Sequence, residues 1–437
     1  MADDWETTRL GDLVTHQKGF AFKSTDYRLS GHPIVRVSNF TDRSIDMAEC
    51  SYLSPSAVPL YKGYRLRHRD AVIATVGSWP TNPASVVGKT ICVPAKADSA
   101  LLNQNAVRLR AKPDLDQRFL FYLLKQLDFQ SYIVGTAQGS ASQASITLND
   151  IFAFEFRRPP LAEQQAIAAV LGALDDKIEL NRRMNATLEA MARTLFQSWF
   201  VDFAPVRAKL DGRSPAGLDA ATAALFPSSF QDSTLGQIPK GWEVSTIGAK
   251  FLTVLGGTPS RAKAEYWTDG TVPWINSGKT NEFRIIEPSE WITKEALENS
   301  ATKLLPPRTT VLAITGATLG QVSITEIECC ANQSVVAIPG SEQFPTEFIY
   351  PWIGENIDKL VSSQTGGAQQ HINKGNVEEL ALLCPDRRVV SAYLAKAKPL
   401  FDRIAANCFQ SRALATLRDT LLPKLLNGEL STRHVNV

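Results

Sequence analysis

Lys62, Arg65, Arg67, His68 and Arg69 crowd into one short run, with Tyr61 and Tyr64 set among them. Cations at this density suit contact with a polyanion, because lysine and arginine neutralise phosphates whatever bases lie between. A solvated charged loop is the competing reading. Two other stretches carry side chains able to read base edges. Gly135–Ser145 (GTAQGSASQAS) holds Gln138 and Gln143; Ser362–Asn376 (SSQTGGAQQHINKGN) holds Gln369, Gln370, His371 and Lys374. Glutamine can bond adenine bidentately, and lysine can bond guanine. A structural turn is the competing reading for both. Asn276–Arg284 (NSGKTNEFR) is a third candidate, with Lys279 as its cation.

Bond-breaking chemistry is harder to find. Gly88–Thr90 reads GKT, but a phosphate loop needs glycine five positions earlier, where Pro83 stands. Gly316–Gly320 (GATLG) is a small-residue turn after a strand. The five histidines (16, 32, 68, 371, 434) form neither HExxH nor a zinc spacing, and there is no GxSxG elbow. Arg157–Leu161 (RRPPL) has the wrong flanks for an amino-methyltransferase tetrapeptide and looks like a helix start. The six cysteines (50, 92, 329, 330, 384, 408) include no CxxC pair and read as free thiols of a reducing cytosol. No residue is assigned to catalysis, to a metal or to a cofactor.

The frame that must position these residues is a repeat. The chain has 437 residues, 44 % hydrophobic and 21 % charged, long enough for two or three domains. A net charge of +2 leaves DNA binding to local patches. WETTRLG (Trp5–Gly11) returns as WEVSTIG (Trp242–Gly248), and VIATVG (Val72–Gly77) as VLAITG (Val311–Gly316). Asn103-Gln104 returns as Asn332-Gln333, and Phe119 as Phe348. From Gln143 onward the shift is a constant 226 residues, taking Gln143 to Gln369, Pro159 to Pro385 and Leu195 to Leu421. So long a period means two domains, not a solenoid.

Each copy opens with an irregular α+β region of short strands and turns. It closes with a helix whose apolar seam steps by 4 and 3. The seam runs through Leu174, Ile178, Asn181, Leu188 and Leu195 in the first copy. In the second it runs through Leu400, Ile404, Asn407, Leu414 and Leu421. Gly172 is expected to break or bend the first helix, Pro399 to precede the second seam, and Pro423 to end it. Asn181 and Asn407, polar at equivalent positions, would fix register. The stretch from Leu174 to Phe200, about 40 Å at about 1.5 Å per residue, matches roughly one 34 Å turn of DNA. Between the copies lies an aromatic connector. Its Trp199, Phe200 and Phe203 must bury, either in a core or against a partner. The partition is 1–157, 158–241, 242–383, 384–430 and a tail, 431–437. The polar start is no secretory signal, and no run approaches about 18 apolar residues, so a cytoplasmic location is expected.

PPLAEQQAIAAVL, LDDKIELNRR, LFQSWFVDFAPVRAK, IPKGWEV and LRDTLLPKLLNGEL resemble the repeated regions of type I restriction–modification DNA specificity subunits. GGTPS…YW…VPWINSGK and LAITGATLGQV resemble that family's target-recognition domains; HQKGFAFKSTDY replaces the GGTPS loop in the first copy. The resemblance implies an α+β fold with a pseudo-twofold internal repeat, two similar target-recognition domains joined by two long antiparallel coiled-coil helices. It implies that each domain reads half of a bipartite, asymmetric double-stranded DNA target. It further implies that the chain docks two methyltransferase subunits and, where restriction occurs, translocase–nuclease subunits. S-adenosylmethionine then belongs to the methyltransferase partner, and ATP with Mg to the restriction partner. Two alternatives stay open: a single-chain modification enzyme with an unrecognised motif, and a coiled-coil adaptor without DNA binding.

Overall fold

The computed structural model describes residues 5–79, 86–140, 143–362 and 372–432. They form two compact units, one of Met1–Ile178 with Ala413–Val437 and one of Glu179–Arg412. The units cut across the partition read from sequence, because each takes in part of both long helices.

In the first unit a four-stranded antiparallel sheet runs in the order Val14–Lys18, Ala106–Ala111, Ala71–Ala74, Thr90–Cys92. A second sheet runs Ser51–Leu53, His32–Val35, Leu101–Leu102, the last pair parallel. Glu6–Arg9 pairs with Glu155–Arg158. The second unit repeats this plan. Its four-stranded sheet runs Val254–Leu255, Val335–Pro339, Thr309–Ala313, Val322–Thr325. Its second sheet runs Glu290–Ile292, Val272–Ile275, Cys329–Ala331, again with the last pair parallel, and adds Leu304–Leu305. Glu243–Thr246 pairs with Ala381–Cys384. The inner strands Ala71–Ala74 and Thr309–Ala313 are buried along their whole length, as strands covered on both faces must be. Each follows an arginine in the left-handed region, Arg69 (φ 69°) and Arg308 (φ 63°).

The loop that looks unlike its copy keeps the residue that matters. A Cβ on Gly19 would lie 1.8 Å from the Asn103 carbonyl oxygen, and one on Gly256 2.1 Å from that of Asn332. Both chains pass too close to the backbone for any side chain. HQKGF and the GGTPS loop are therefore one turn with different decoration.

Two helices of 40 residues, Leu161–Phe200 and Arg387–Leu426, complete the units. Three expected breaks are corrected. The first helix runs through Gly172, which is small for another reason: the Arg118 guanidinium lies 2.3 Å from where its Cβ would be. Arg118 donates to the Gly172 carbonyl (2.8 Å) and pairs with Asp176 (2.7 Å). The second helix runs through Pro399 and Pro423. Both prolines are exposed, so the carbonyls they leave unpaired can be hydrated. Buried Phe401 and Leu422 hold the helix in place around them.

In the second unit the helices pair antiparallel. Asn181 Nδ2 donates to Gln410 Oε1 (2.9 Å), Asn185 Nδ2 to the Ile404 carbonyl (3.4 Å), and Asn407 Nδ2 to Asn185 Oδ1 (2.8 Å). Asn181, Ile404 and Asn407 are buried; Leu188, Leu195 and Leu400 are half-buried. In the first unit Leu174, Ile178, Leu414 and Leu421 are half-buried, and Arg418 pairs with Asp175 at 2.6 Å. The 226-residue shift also governs where the helices end. Phe196, Trp199 and Phe200 enter the core of the second unit, and their counterparts Leu422, Leu425 and Leu426 enter that of the first.

Candidate nucleic-acid interface

The basic run lines a cleft of about 590 Å³ in the first unit, with Lys62, Arg65 and Arg67 joined by Arg108, Arg110 and Gln17. The helical turn Pro55–Tyr64 carries the run into the cleft. Phe20 packs tilted against Tyr61 at 4.9 Å and against Tyr64 at 5.1 Å, and Phe22 meets Tyr61 edge-on at 5.1 Å. The tyrosines are therefore the footing of the loop. Arg108 and Arg110, adjacent on one face of their strand, tie the run down from below. Arg108 Nη1 donates to the Arg65 carbonyl (2.7 Å). Arg110 pairs with buried Asp70 at 2.6 Å. Burial, then the charge of Arg110, lowers the pKa of Arg108. The side chains of Lys62, Arg65 and Arg67 have no ion-pair partner among the described residues, and Arg65 Nε is buried with no acceptor. The arrangement is cationic, open and held from beneath, and it can take a phosphate. The sequence reading missed Arg108 and Arg110. Their alternation on an otherwise apolar strand was the available signal.

Gln138 and Gln143 stand exposed on a hairpin, Gln138–Ser140 against Gln143–Ser145, that pairs with Val76–Gly77 in the same unit. In the second unit Lys279 is spoken for: its Nζ pairs with Glu282 at 2.7 Å, leaving the side chain 18 % exposed. Lys374 begins the short helix Lys374–Glu379 and pairs with Glu378 at 3.2 Å. Gln369, Gln370 and His371 lie outside the described residues.

Trp199 and Phe200 require correction as partner contacts. They are 2 % and 1 % exposed, and Trp199 meets Phe226 at 5.0 Å while Phe200 meets Phe348 at 5.0 Å and Tyr393 at 5.1 Å. The connector folds its own aromatics into the core of the second unit. Phe203, half-buried, packs on Trp242 and Phe230.

Strand register fixes what the second unit has in place of the cleft. Val72 lies opposite Arg108, and its copy Val311 opposite Ala337. Arg110 likewise corresponds to Pro339. The shift that takes Val72 to Val311 takes Arg65 to Leu304 and Arg67 to Pro306. The cationic lining is thus particular to one copy. The second unit buries its cations instead. Arg284, with a side chain 0 % exposed, pairs with Glu189 (2.7 Å) and Glu326 (3.6 Å) and lies over Tyr350 (4.9 Å). Burial pushes the Glu326 carboxyl above its ordinary pKa, against the pull of Arg308 and Arg284.

Among the described residues no His, Cys, Asp and Glu side chains are grouped to hold a metal, and no helix is long and apolar enough to cross a membrane. A duplicated α+β frame with long helices, one copy of which presents a cationic cleft, defines a two-domain DNA-recognition protein. The chain belongs to the type I restriction modification DNA specificity domain family, whose profile matches residues 2–190 and 239–387. It is 28 % identical over 357 residues to the HindI type I restriction enzyme specificity subunit of Haemophilus influenzae, covering 71 % of this chain and 77 % of that one. It is 27 % identical over 333 residues to the MjaIX specificity subunit of Methanocaldococcus jannaschii, covering 75 % and 72 %. The fold matches that of a type I restriction–modification S subunit from M. genitalium, with a TM-score of 0.56, 16 % identity, and 97 % and 96 % of the two chains covered.

Proposed function

We propose that the chain reads an asymmetric, bipartite double-stranded DNA target for a type I restriction–modification complex and performs no bond chemistry itself. One observation carries the asymmetry: two domains share strand order and register, yet line the same position with arginines in one copy and with Leu304, Pro306, Ala337 and Pro339 in the other. One frame with two linings suits two different half-sites. Lys62, Arg65 and Arg67 hold phosphates, and the hairpin with Gln138 and Gln143 reads bases of the first half-site. The reading role of Gln369, Gln370 and His371 rests on their sequence alone.

Two methyltransferase subunits supply S-adenosylmethionine and the methyl transfer; ATP and Mg belong to a translocase–nuclease subunit. The docking face is sought where apolar side chains stay exposed on the helices, at Leu180 (44 %), Met191 (53 %) and Phe409 (42 %) of the second unit. The test is co-expression with the methyltransferase partner, followed by sequencing of methylated DNA. A gapped two-part motif is expected, and Gln138→Ala with Gln143→Ala should change one part only. Methyl transfer by the purified chain alone would overturn the non-catalytic reading. Absence of salt-dependent duplex binding would overturn DNA recognition.

A further inference from the structure

The first unit has an aromatic-lined cleft of about 490 Å³, well away in sequence from the cationic one. Its walls are Phe119 and Leu123 of the helix Gln117–Lys125, Phe154, Glu155 and Phe156 around the last strand, and Leu426 at the end of the second long helix. Phe119, Leu123, Phe154, Phe156 and Leu426 are 1 to 7 % exposed and form an apolar floor, while Thr7, Gln126, Asp128, Glu155, Arg157 and Asn427 make the rim polar.

The duplication shows what such a cleft holds. The counterpart of Leu123 in the second unit is Trp352, four residues after Phe348 as Leu123 is four after Phe119. The counterpart of Leu426 is Phe200. Strand pairing matches Arg9 with Glu155 in one unit and Thr246 with Ala381 in the other, so the Glu155 and Ala381 carbonyls are equivalent. In the second unit the Trp352 indole, 5 % exposed, bridges helix and strand by donating from Nε1 to the Ala381 carbonyl at 3.0 Å. Leu123 has neither the ring nor the donor. Phe154 and Phe156, opposite Leu380 and Leu382, return some volume, yet the cleft remains.

We infer that this cleft receives a tryptophan side chain from a protein partner, seated as Trp352 is seated in the second unit, its indole N–H donated to the Glu155 carbonyl. The size falls within that of ordinary ligand sites, about 300–1,000 Å³. Buried tryptophan needs an acceptor for its N–H, and tryptophan is among the commonest interface anchors. The internal copy identifies the occupant as an indole, and the open rim means that it comes from another chain.

The experiment titrates 5-fluoroindole against the full-length protein, observed by fluorine NMR, with N-acetyl-tryptophanamide and N-acetyl-leucinamide as competitors. Leu123→Trp and Leu426→Phe each import the second unit's own residue. Saturable binding is expected, displaced by the tryptophan amide and not by the leucine amide. It should weaken at least tenfold in Leu123→Trp, whose melting temperature should rise because the ring is supplied from within. Should Leu123→Trp fail to fold by circular dichroism, weakened binding in Leu426→Phe decides. No saturable binding, equal displacement by both amides, or full binding in a folded Leu123→Trp overturns the inference. So does a wild-type homodimer that Leu123→Trp dissolves, since the occupant would then be a second copy.

Discussion

Among the described residues, Lys62, Arg65 and Arg67 of the first unit's cleft have side chains with neither an ion pair nor a hydrogen bond, whereas Arg110 pairs with Asp70 and Arg108 donates to backbone carbonyls. Changing all three to alanine should therefore alter how DNA binding responds to salt. Each phosphate neutralised contributes about 0.9 to the slope of log affinity against log salt. Losing three contacts should flatten that slope by about 2.7. Between 50 and 200 mM salt the wild type should then lose roughly 40-fold more affinity than the triple variant. Fluorescence anisotropy with a duplex of unrelated sequence reads this directly, because phosphate contacts do not depend on the bases. The melting temperature should hardly move, since none of the three side chains is paired. Arg110→Gln is the contrasting control. It strands the Asp70 carboxylate, 4 % exposed, and should cost about 3 kcal/mol of stability. A folded triple variant with an unchanged salt slope would refute the cleft as a phosphate site.

Trp199→Ala should destabilise the second unit by about 3–5 kcal/mol, as large-to-small core changes do; an unchanged thermal melt would return Trp199 to the surface. Asn407→Leu leaves Asn185 Oδ1 buried without its donor and should cost about 1–3 kcal/mol in urea unfolding. Gly172→Ala gains about 1 kcal/mol of helix propensity but displaces Arg118 from its charged hydrogen bonds, worth about 1.5–3 kcal/mol, so a net loss is expected. Arg284→Met removes one of two guanidinium groups that help Glu326 to ionise. Glu326 already has its pKa raised by burial, so its charged form opposes folding as pH climbs above the ordinary carboxylate range. Arg284→Met loses its Glu189 pair at either pH, so the penalty should be present at pH 5 and larger at pH 8, on the order of 3–5 kcal/mol there; urea titrations giving the same penalty at both would remove Glu326 from the account.

The duplication and the helical seams were legible because both are periodic. A constant shift through the second half of each copy and steps of 4 and 3 survive divergence elsewhere. What stayed hidden was governed by partners distant in sequence. Gly172 reads as a helix break until Arg118 is seen to need its space. Pro399 and Pro423 read as helix ends because local propensity is blind to Phe401 and Leu422. Trp199 and Phe200 look like a docking surface because aromatic content alone cannot tell a core from an interface. The basic run was visible at once, but Arg108 and Arg110 reach it only through strand pairing. The pairing of Lys279 with Glu282, three residues on, was visible in the sequence and went unused.

The first unit is closed by residues from the far end of the chain. Leu422, Leu425 and Leu426 complete the core begun by residues 1–178, while the second unit is one continuous segment. On a ribosome adding about 5–20 residues per second, the earlier-made domain waits roughly 10–50 s for its last helix. The later-made one can fold as soon as it emerges. The nascent chain thus carries an exposed apolar face at its head throughout synthesis of the remainder, a surface for chaperones to shield. Truncation at Ala413 would remove Leu422, Leu425 and Leu426 from the core of the domain that was translated first.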